Sequence, residues 1–185
     1  MKKSSILFIC VLLVLVTVTG CKKKEVKYNK ETTLYSIISS NNKYKVSFEL
    51  ANELGYTLNT EGNKATLRHQ GNYSVINVTL LYDYSNSASI SKKETDFYSD
   101  YYKDYKTVKV NGFEGWSIVK ETNIVTDYQT VLVLTSADSD KKVYALDIKV
   151  TQSPLQNNKD DFNTINFINS DDFKHLLNTI KIEEI

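Results

Sequence analysis

Apolar and polar residues alternate along much of this chain. Tyr44, Val46, Phe48 and Leu50 fall on one side of an extended backbone, and Lys45, Ser47 and Glu49 on the other. A period of two predicts a strand with one face in water. Residues 56–60 and 64–69 flank Glu61-Gly62-Asn63, which predicts a hairpin with glycine in the turn. Residues 73–84 repeat the pattern through Ile76, Val78, Leu80 and Tyr82. Val108 and Val110 run into Asn111-Gly112, a pair that tolerates positive φ and signals a tight hairpin, with Trp116 and Ile118 on the returning strand. Residues 128–135 are apolar on both faces through Val131-Leu132-Val133-Leu134, the signature of a strand buried inside a sheet, and residues 143–151 alternate again through Tyr144, Leu146, Ile148 and Val150.

Two segments change period. Ser91 and Glu94 form a capping box, and Phe97, Tyr98, Tyr101, Tyr102 and Tyr105 follow as an apolar stripe, so a helix is predicted over 91–105. Ser170 followed by Asp171 and Asp172 predicts an N-capped terminal helix, with Phe173, Leu176, Leu177 and Ile180 as its buried stripe. Between them, residues 156–169 are rich in Asn and Asp and are expected as a loop held by Phe162, Ile165, Phe167 and Ile168. Residues 28–42 fit a short helix or a strand equally well. The pattern as a whole predicts an α+β fold, mainly antiparallel β-sheet with flanking helices.

The beginning of the chain follows different rules. Lys2 and Lys3 precede an apolar run from Ile6 to Val18, thirteen residues and too short for the roughly 20 a membrane-spanning helix requires. Val18-Thr19-Gly20-Cys21 closes that run and resembles the lipobox of bacterial lipoproteins. The resemblance implies cleavage after Gly20, a diacylglycerol thioether on Cys21, and attachment to the extracytoplasmic face of the cell membrane. Residues 1–20 are then a signal peptide, 21–42 a lipidated tether and 43–185 the domain. Lys22, Lys23, Lys24 and Lys27 of the tether would lie at anionic headgroups, at about 1 kcal/mol per lysine close to the surface. Cys10 leaves with the signal and Cys21 is acylated, so the mature domain has no thiol for catalysis, disulfide or metal.

Several residue groups are also similar to PsbP-like proteins, namely Tyr44-Lys45-Val46-Ser47-Phe48, the helix over 91–105, the hairpin from Val108 to Trp116, and Phe173-Lys174-His175-Leu176-Leu177. The resemblance spans roughly residues 43 to 182, except that residues 49–55 lack the proline common in the family after the first strand. It implies a domain that acts through partners, and it carries over no catalytic residue.

Charge and chemistry narrow the functional classes. The signal holds two of the 23 Lys and Arg and none of the 22 Asp and Glu, so 21 basic face 22 acidic residues in the mature chain. Interspersed signs with Arg68 as the single arginine leave no footprint for nucleic acid. No zinc-protease, nucleophile-elbow or P-loop motif is present, and no cofactor or metal is expected. His69 and His175 are isolated, and each is expected as a structural residue. Tyrosine is abundant, thirteen in all, and Tyr98, Tyr102 and Tyr105 are the candidates for a partner surface. The expectation is a non-enzymatic, lipid-anchored protein binding a protein or cell-envelope partner. The alternative is a solute-binding accessory protein with a Tyr-lined pocket for a sugar or peptide. A hydrolase using Asp83, Asp127 or Asp147 ranks last, since two carboxylates would have to converge in one cleft.

Overall fold

The computed structural model describes residues 28–72, 74–82, 102–122, 125–135, 143–152 and 162–185. Ten strands are described: β1 Thr32–Ile38, β2 Tyr44–Ala51, β3 Tyr56–Glu61, β4 Lys64–His69, β5 Val75–Tyr82, β6 Tyr102–Val110, β7 Phe113–Glu121, β8 Thr126–Val133, β9 Tyr144–Thr151 and β10 Lys181–Glu184. Two helices, α1 Thr164–Asn169 and α2 Asp171–Asn178, lie between β9 and β10, and a 3-10 turn, Asn52–Leu54, joins β2 to β3. The strands form a three-stranded sheet in the order β1-β2-β10 and a seven-stranded sheet in the order β3-β4-β5-β9-β8-β7-β6. Every neighbouring pair is antiparallel.

The turns follow the local chemistry. Gly62 sits at φ 56° between β3 and β4, and Asn111 and Gly112 sit at 48° and 83° between β6 and β7. These are the left-handed values a two-residue hairpin demands. Alternation then sorts the side chains. Ala65, Leu67, Ile76, Val78, Leu80, Leu132, Leu146, Ile148 and Val150 cover one face of the large sheet and pack against Ile37, Val46, Phe48 and Leu50 of the small one. Phe167, Phe173, Leu176 and Ile180 complete that core. Each Val, Leu, Ile or Phe among them contributes about 1.5–3 kcal/mol on full burial. The opposite face of the large sheet buries Trp116, Ile118, Val131 and Ala145, which explains why β8 is apolar on both sides.

Three expectations change. The helix expected over 91–105 lies outside the described residues up to Tyr101, and its end is strand instead, because residues 102–105 belong to β6. Tyr102 pairs with Lys120 and Lys103 with Val119, the register then shifts before Lys106, and Asp104 takes φ 53°. Tyrosine favours strands, and the ladder to β7 outweighs a stripe that any i, i+4 spacing of aromatics would produce. Second, the loop expected over 156–169 ends in α1, whose N-cap Asn163 accepts a hydrogen bond from the Asn166 N–H at 2.9 Å. Six residues are too few to display a helical period. Third, ordered structure starts before residue 43: β1 pairs along its whole length with β2, from Thr32↔Ala51 to Ile38↔Lys45.

Ser170 caps α2 as expected, its Oγ accepting from the Phe173 N–H at 3.2 Å. Asp172 does more than favour the helix dipole. It is buried, accepting from the Tyr28 hydroxyl at 2.6 Å and from Lys30 Nζ at 2.9 Å, while Lys30 also meets Glu53 at 2.6 Å. Tyr28 stacks on His175 with ring centroids 3.8 Å apart, and His175 Nε2 lies 3.1 Å from Glu49 Oε2. The first described residues are thereby fastened to α2. The hydrogen bond to Asp172 raises the Lys30 pKa, and burial followed by that same carboxylate raises that of Tyr28.

Candidate functional site

A cleft of about 490 Å³ opens where the 3-10 turn, the β3–β4 hairpin and α1 meet. Leu54, Tyr56, His69, Phe162 and Phe167 supply its apolar wall, and Glu53, Asn72, Asn163 and Asn166 its polar rim. Gly55, at φ 67°, reverses the chain into β3. A Cβ there would lie 3.3 Å from His69 Nε2, so glycine lets the imidazole close against the turn. His69 Nδ1 accepts from the N–H groups of Gly71 at 3.0 Å and Asn72 at 2.9 Å, which assigns the ring proton to Nε2. Tyr56 meets the His69 ring edge-on at 5.6 Å and Phe167 at 6.4 Å. Phe162 lies against Phe167 at 5.5 Å. The Ser74 hydroxyl sits 2.6 Å from both the Tyr56 hydroxyl and Asn72 Oδ1. With one proton to give, Ser74 donates to the Asn72 carbonyl oxygen and receives from Tyr56. Burial pushes the Tyr56 phenol up to about 12, so it stays neutral and acts as a donor.

None of this wall is expected as a site from sequence: His69 reads as a structural residue, and Phe162 and Phe167 as anchors of a loop. Tyr56 and Phe167 are more than a hundred residues apart, and no periodicity links them. The aromatic and Asn-rich stretch over 162–169 was the available signal. Of the residues that were singled out, Gly20, Cys21 and Tyr98 lie outside the described residues. Tyr102 lies in β6, and Tyr105 is half-buried and packs against Trp116, Ile118, Val131 and Ala145. Tyr105 therefore belongs to the second core and not to an open surface. Trp116 is 7% exposed and belongs to the same second core.

The carboxylates named for hydrolysis do not converge. Asp83 lies outside the described residues. Asp127 pairs in register with Thr151, four residues along β9 from Asp147, a separation of about 13 Å. Asp147 accepts from Gln129 Nε2 at 2.9 Å and lies 3.5 Å from Lys149 Nζ. Asp127 has a buried Oδ1 with no hydrogen-bond partner among the described residues, and burial raises its pKa despite a hydrogen bond from Thr151. A pKa raised on folding means the protonated form is favoured in the fold, so stability falls as pH rises from the ordinary aspartate value through the folded one. Asp127→Asn is therefore expected to raise the melting temperature at pH 7, with the gain shrinking towards pH 3. Thermal unfolding at several pH values checks this, and an equal or lower melting temperature at pH 7 contradicts it. Glu49 is the opposite case, its pKa lowered by hydrogen bonds from Thr32 and then His175.

Among the described residues no three His, Cys, Asp or Glu side chains are grouped to hold a metal ion. No helix among them is long and apolar enough to cross a membrane. No family model matches the chain, and no curated protein matches it either.

Proposed function

We propose that this chain is an exported, lipid-anchored protein that acts by binding a protein partner at the cell envelope and performs no catalysis. The observation that carries the reading is the open cleft built from Tyr56, His69, Phe162 and Phe167, with amides on its rim and an exposed strand running out from it. Aromatic walls with a few convergent polar groups are the composition of binding sites. His69 Nδ1, the acceptor nitrogen of its ring, is already engaged by two backbone N–H groups, and His175 stacks on Tyr28 with its Nε2–H directed at Glu49, away from the cleft lining. The cleft's breadth favours an extended partner over an enclosed sugar or peptide solute.

The anchor reading rests on Val18-Thr19-Gly20-Cys21 and is sharpened by the clasp on α2. Only six residues separate Cys21 from Tyr28, so the clasped domain would sit within about 25 Å of the bilayer even with that segment extended. A PsbP-like architecture is part of the same proposal, supported by the broad antiparallel sheet and the C-terminal helix packed beside β2.

Two measurements on cells test the proposal. The mature protein is expected to carry a diacylglyceryl mass on Cys21 that Cys21→Ala lacks; an unmodified native mass removes the anchor. A photo-crosslinking residue replacing Asn166 at the cleft rim is expected to trap a polypeptide that the same residue at Lys174 does not. Identical products from the two positions, or none from Asn166, overturn the binding site.

A further inference from the structure

We propose that the outer edge of β3 is a docking strand for an extended peptide segment of another protein, one of whose large apolar side chains seats in the aromatic cleft. This rests on the binding reading above and assigns its ligand class.

Among the described residues, β3 is the terminal strand of the seven-stranded sheet and pairs only with β4. Tyr56 stands opposite His69, Leu58 opposite Leu67 and Thr60 opposite Ala65. The His69 N–H points away from β3, donating to the Ser74 carbonyl at 3.0 Å. Tyr56 and His69 are thus a non-hydrogen-bonded pair, and antiparallel ladders alternate. The N–H and C=O groups of Tyr56, Leu58 and Thr60 therefore face outward, and no hydrogen bond joins them to another described residue. Residues 57–61 are all exposed, Leu58 among them at 39%.

Such an edge invites pairing, and proteins usually block it with lysines, proline, bulges or shortness. β6, at the other end of the same sheet, has Lys103, Lys106, Lys109 and a register shift. β10 has four residues, three of them charged, whereas β1, the fourth sheet end, is also uncharged but contributes no residue to the aromatic cleft. β3 has no lysine, no proline, no bulge and one charge, Glu61, beside the turn.

An outward row of alternating donors and acceptors is complementary to one thing, another extended backbone. The cleft says what its side chains should be. Tyr56 and Leu58 lie on the same face of the sheet as Leu67 and Ala65, the face that carries the core. A strand added about 4.8 Å outside β3 would direct alternate side chains to that face. It would cover Leu58 and place one side chain beside Tyr56, where the aromatic cleft begins. A second copy of β3 pairing across a two-fold axis has its Tyr56 committed to its own cleft and brings otherwise Thr57, Leu58, Asn59, Thr60 and Glu61, none large enough to fill a cavity of about 490 Å³. A different polypeptide fits better.

Selection from a displayed library of random linear peptides tests this, using the mature protein as the cell exports it. The outcome does not depend on whether Cys21 is acylated, so loss of the anchor would leave the result standing. Enriched peptides are expected to carry an aromatic or large aliphatic residue. On binding, amide exchange is expected to slow at Tyr56, Leu58 and Thr60, while Thr57 and Asn59, already in the ladder, change little. Leu58→Pro removes an outward N–H at an edge that tolerates proline, and should weaken binding about tenfold or more with little loss of melting temperature. Leu58→Thr keeps the N–H and should bind within a few-fold of the parent. Equal binding by Leu58→Pro, enrichment of no peptide, protection away from β3, a concentration-dependent dimer lost in Leu58→Pro, or binding of envelope glycan in place of peptide would each overturn the proposal.

Discussion

Gly115→Ala is expected to cost about 3 kcal/mol or more and to lower the melting temperature by roughly 6–12 °C. Gly115 lies in β7 opposite Leu132 of β8. A Cβ on Gly115 would overlap the carbonyl oxygen of Val131, with the carbonyl carbon at 2.8 Å and Leu132 Cα at 3.0 Å. These are backbone atoms, and no rotamer change moves them aside. β8 is held on its far side by β9, so relief requires the ladder to shift on both sides or β7 to pull away. Gly62→Ala is the control. It has open space around it and φ 56°, so its cost is only the left-handed penalty, about 1 kcal/mol. Thermal or urea unfolding separates the two. A Gly115→Ala protein melting within a degree or two of the parent would mean that β7 and β8 do not approach as described.

Phe173→Ala is expected to cost about 3–5 kcal/mol, a large share of the 5–15 that holds a typical domain. Phe173 is 1% exposed at the start of α2. Its ring meets Tyr128 edge-on at 5.5 Å and Phe167 at the same distance. Removing it forfeits the transfer free energy and leaves a void under the cleft wall, because Phe167 loses the ring behind it. Two readouts should move together, global stability and the ability of the cleft to bind. If the alanine variant fails to accumulate, Phe173→Leu keeps most of the volume and should cost under about 1.5 kcal/mol. A Phe173→Leu protein as unstable as a typical alanine variant, or a Phe173→Ala protein of parental stability, would contradict the packing described.

Strands and tight turns were readable one residue at a time. In β2, β4, β5 and β9 the buried face is written as alternation, and at Gly62 and at Asn111-Gly112 the backbone φ is set by residues that tolerate it. The Ser170 cap is equally local, since its oxygen reaches an N–H three residues on. Where a local signal competed with a distant one, the distant one prevailed. The stripe that ends at Tyr105 satisfies a helical period, yet β7 offers residues 102–105 a ladder, and pairing decides. Asn163 looked like loop polarity because the helix it caps is too short to show a period.

The candidate site belongs to the second category. His69 is a lone histidine in sequence. Its environment comes from Gly55, Tyr56, Asn72 and α1, elements that meet only after the chain has crossed both sheets. The clasp of Tyr28 and Lys30 on Asp172 spans more than 140 residues, and nothing near Asp172 in sequence distinguishes it from its first-turn neighbour Asp171. Sequence alone therefore determined that the segments of β2, β3, β4, β5, β7, β8 and β9 are extended, where the tight turns fall and which α+β class results, because backbone propensity and solvent partition act within a few residues. Tertiary structure decided that residues 32–38 join the domain, that Tyr105 is core, and that a cleft lies open at the end of an unguarded strand. Those outcomes depend on which surfaces remain after the core has closed, and no local period encodes that.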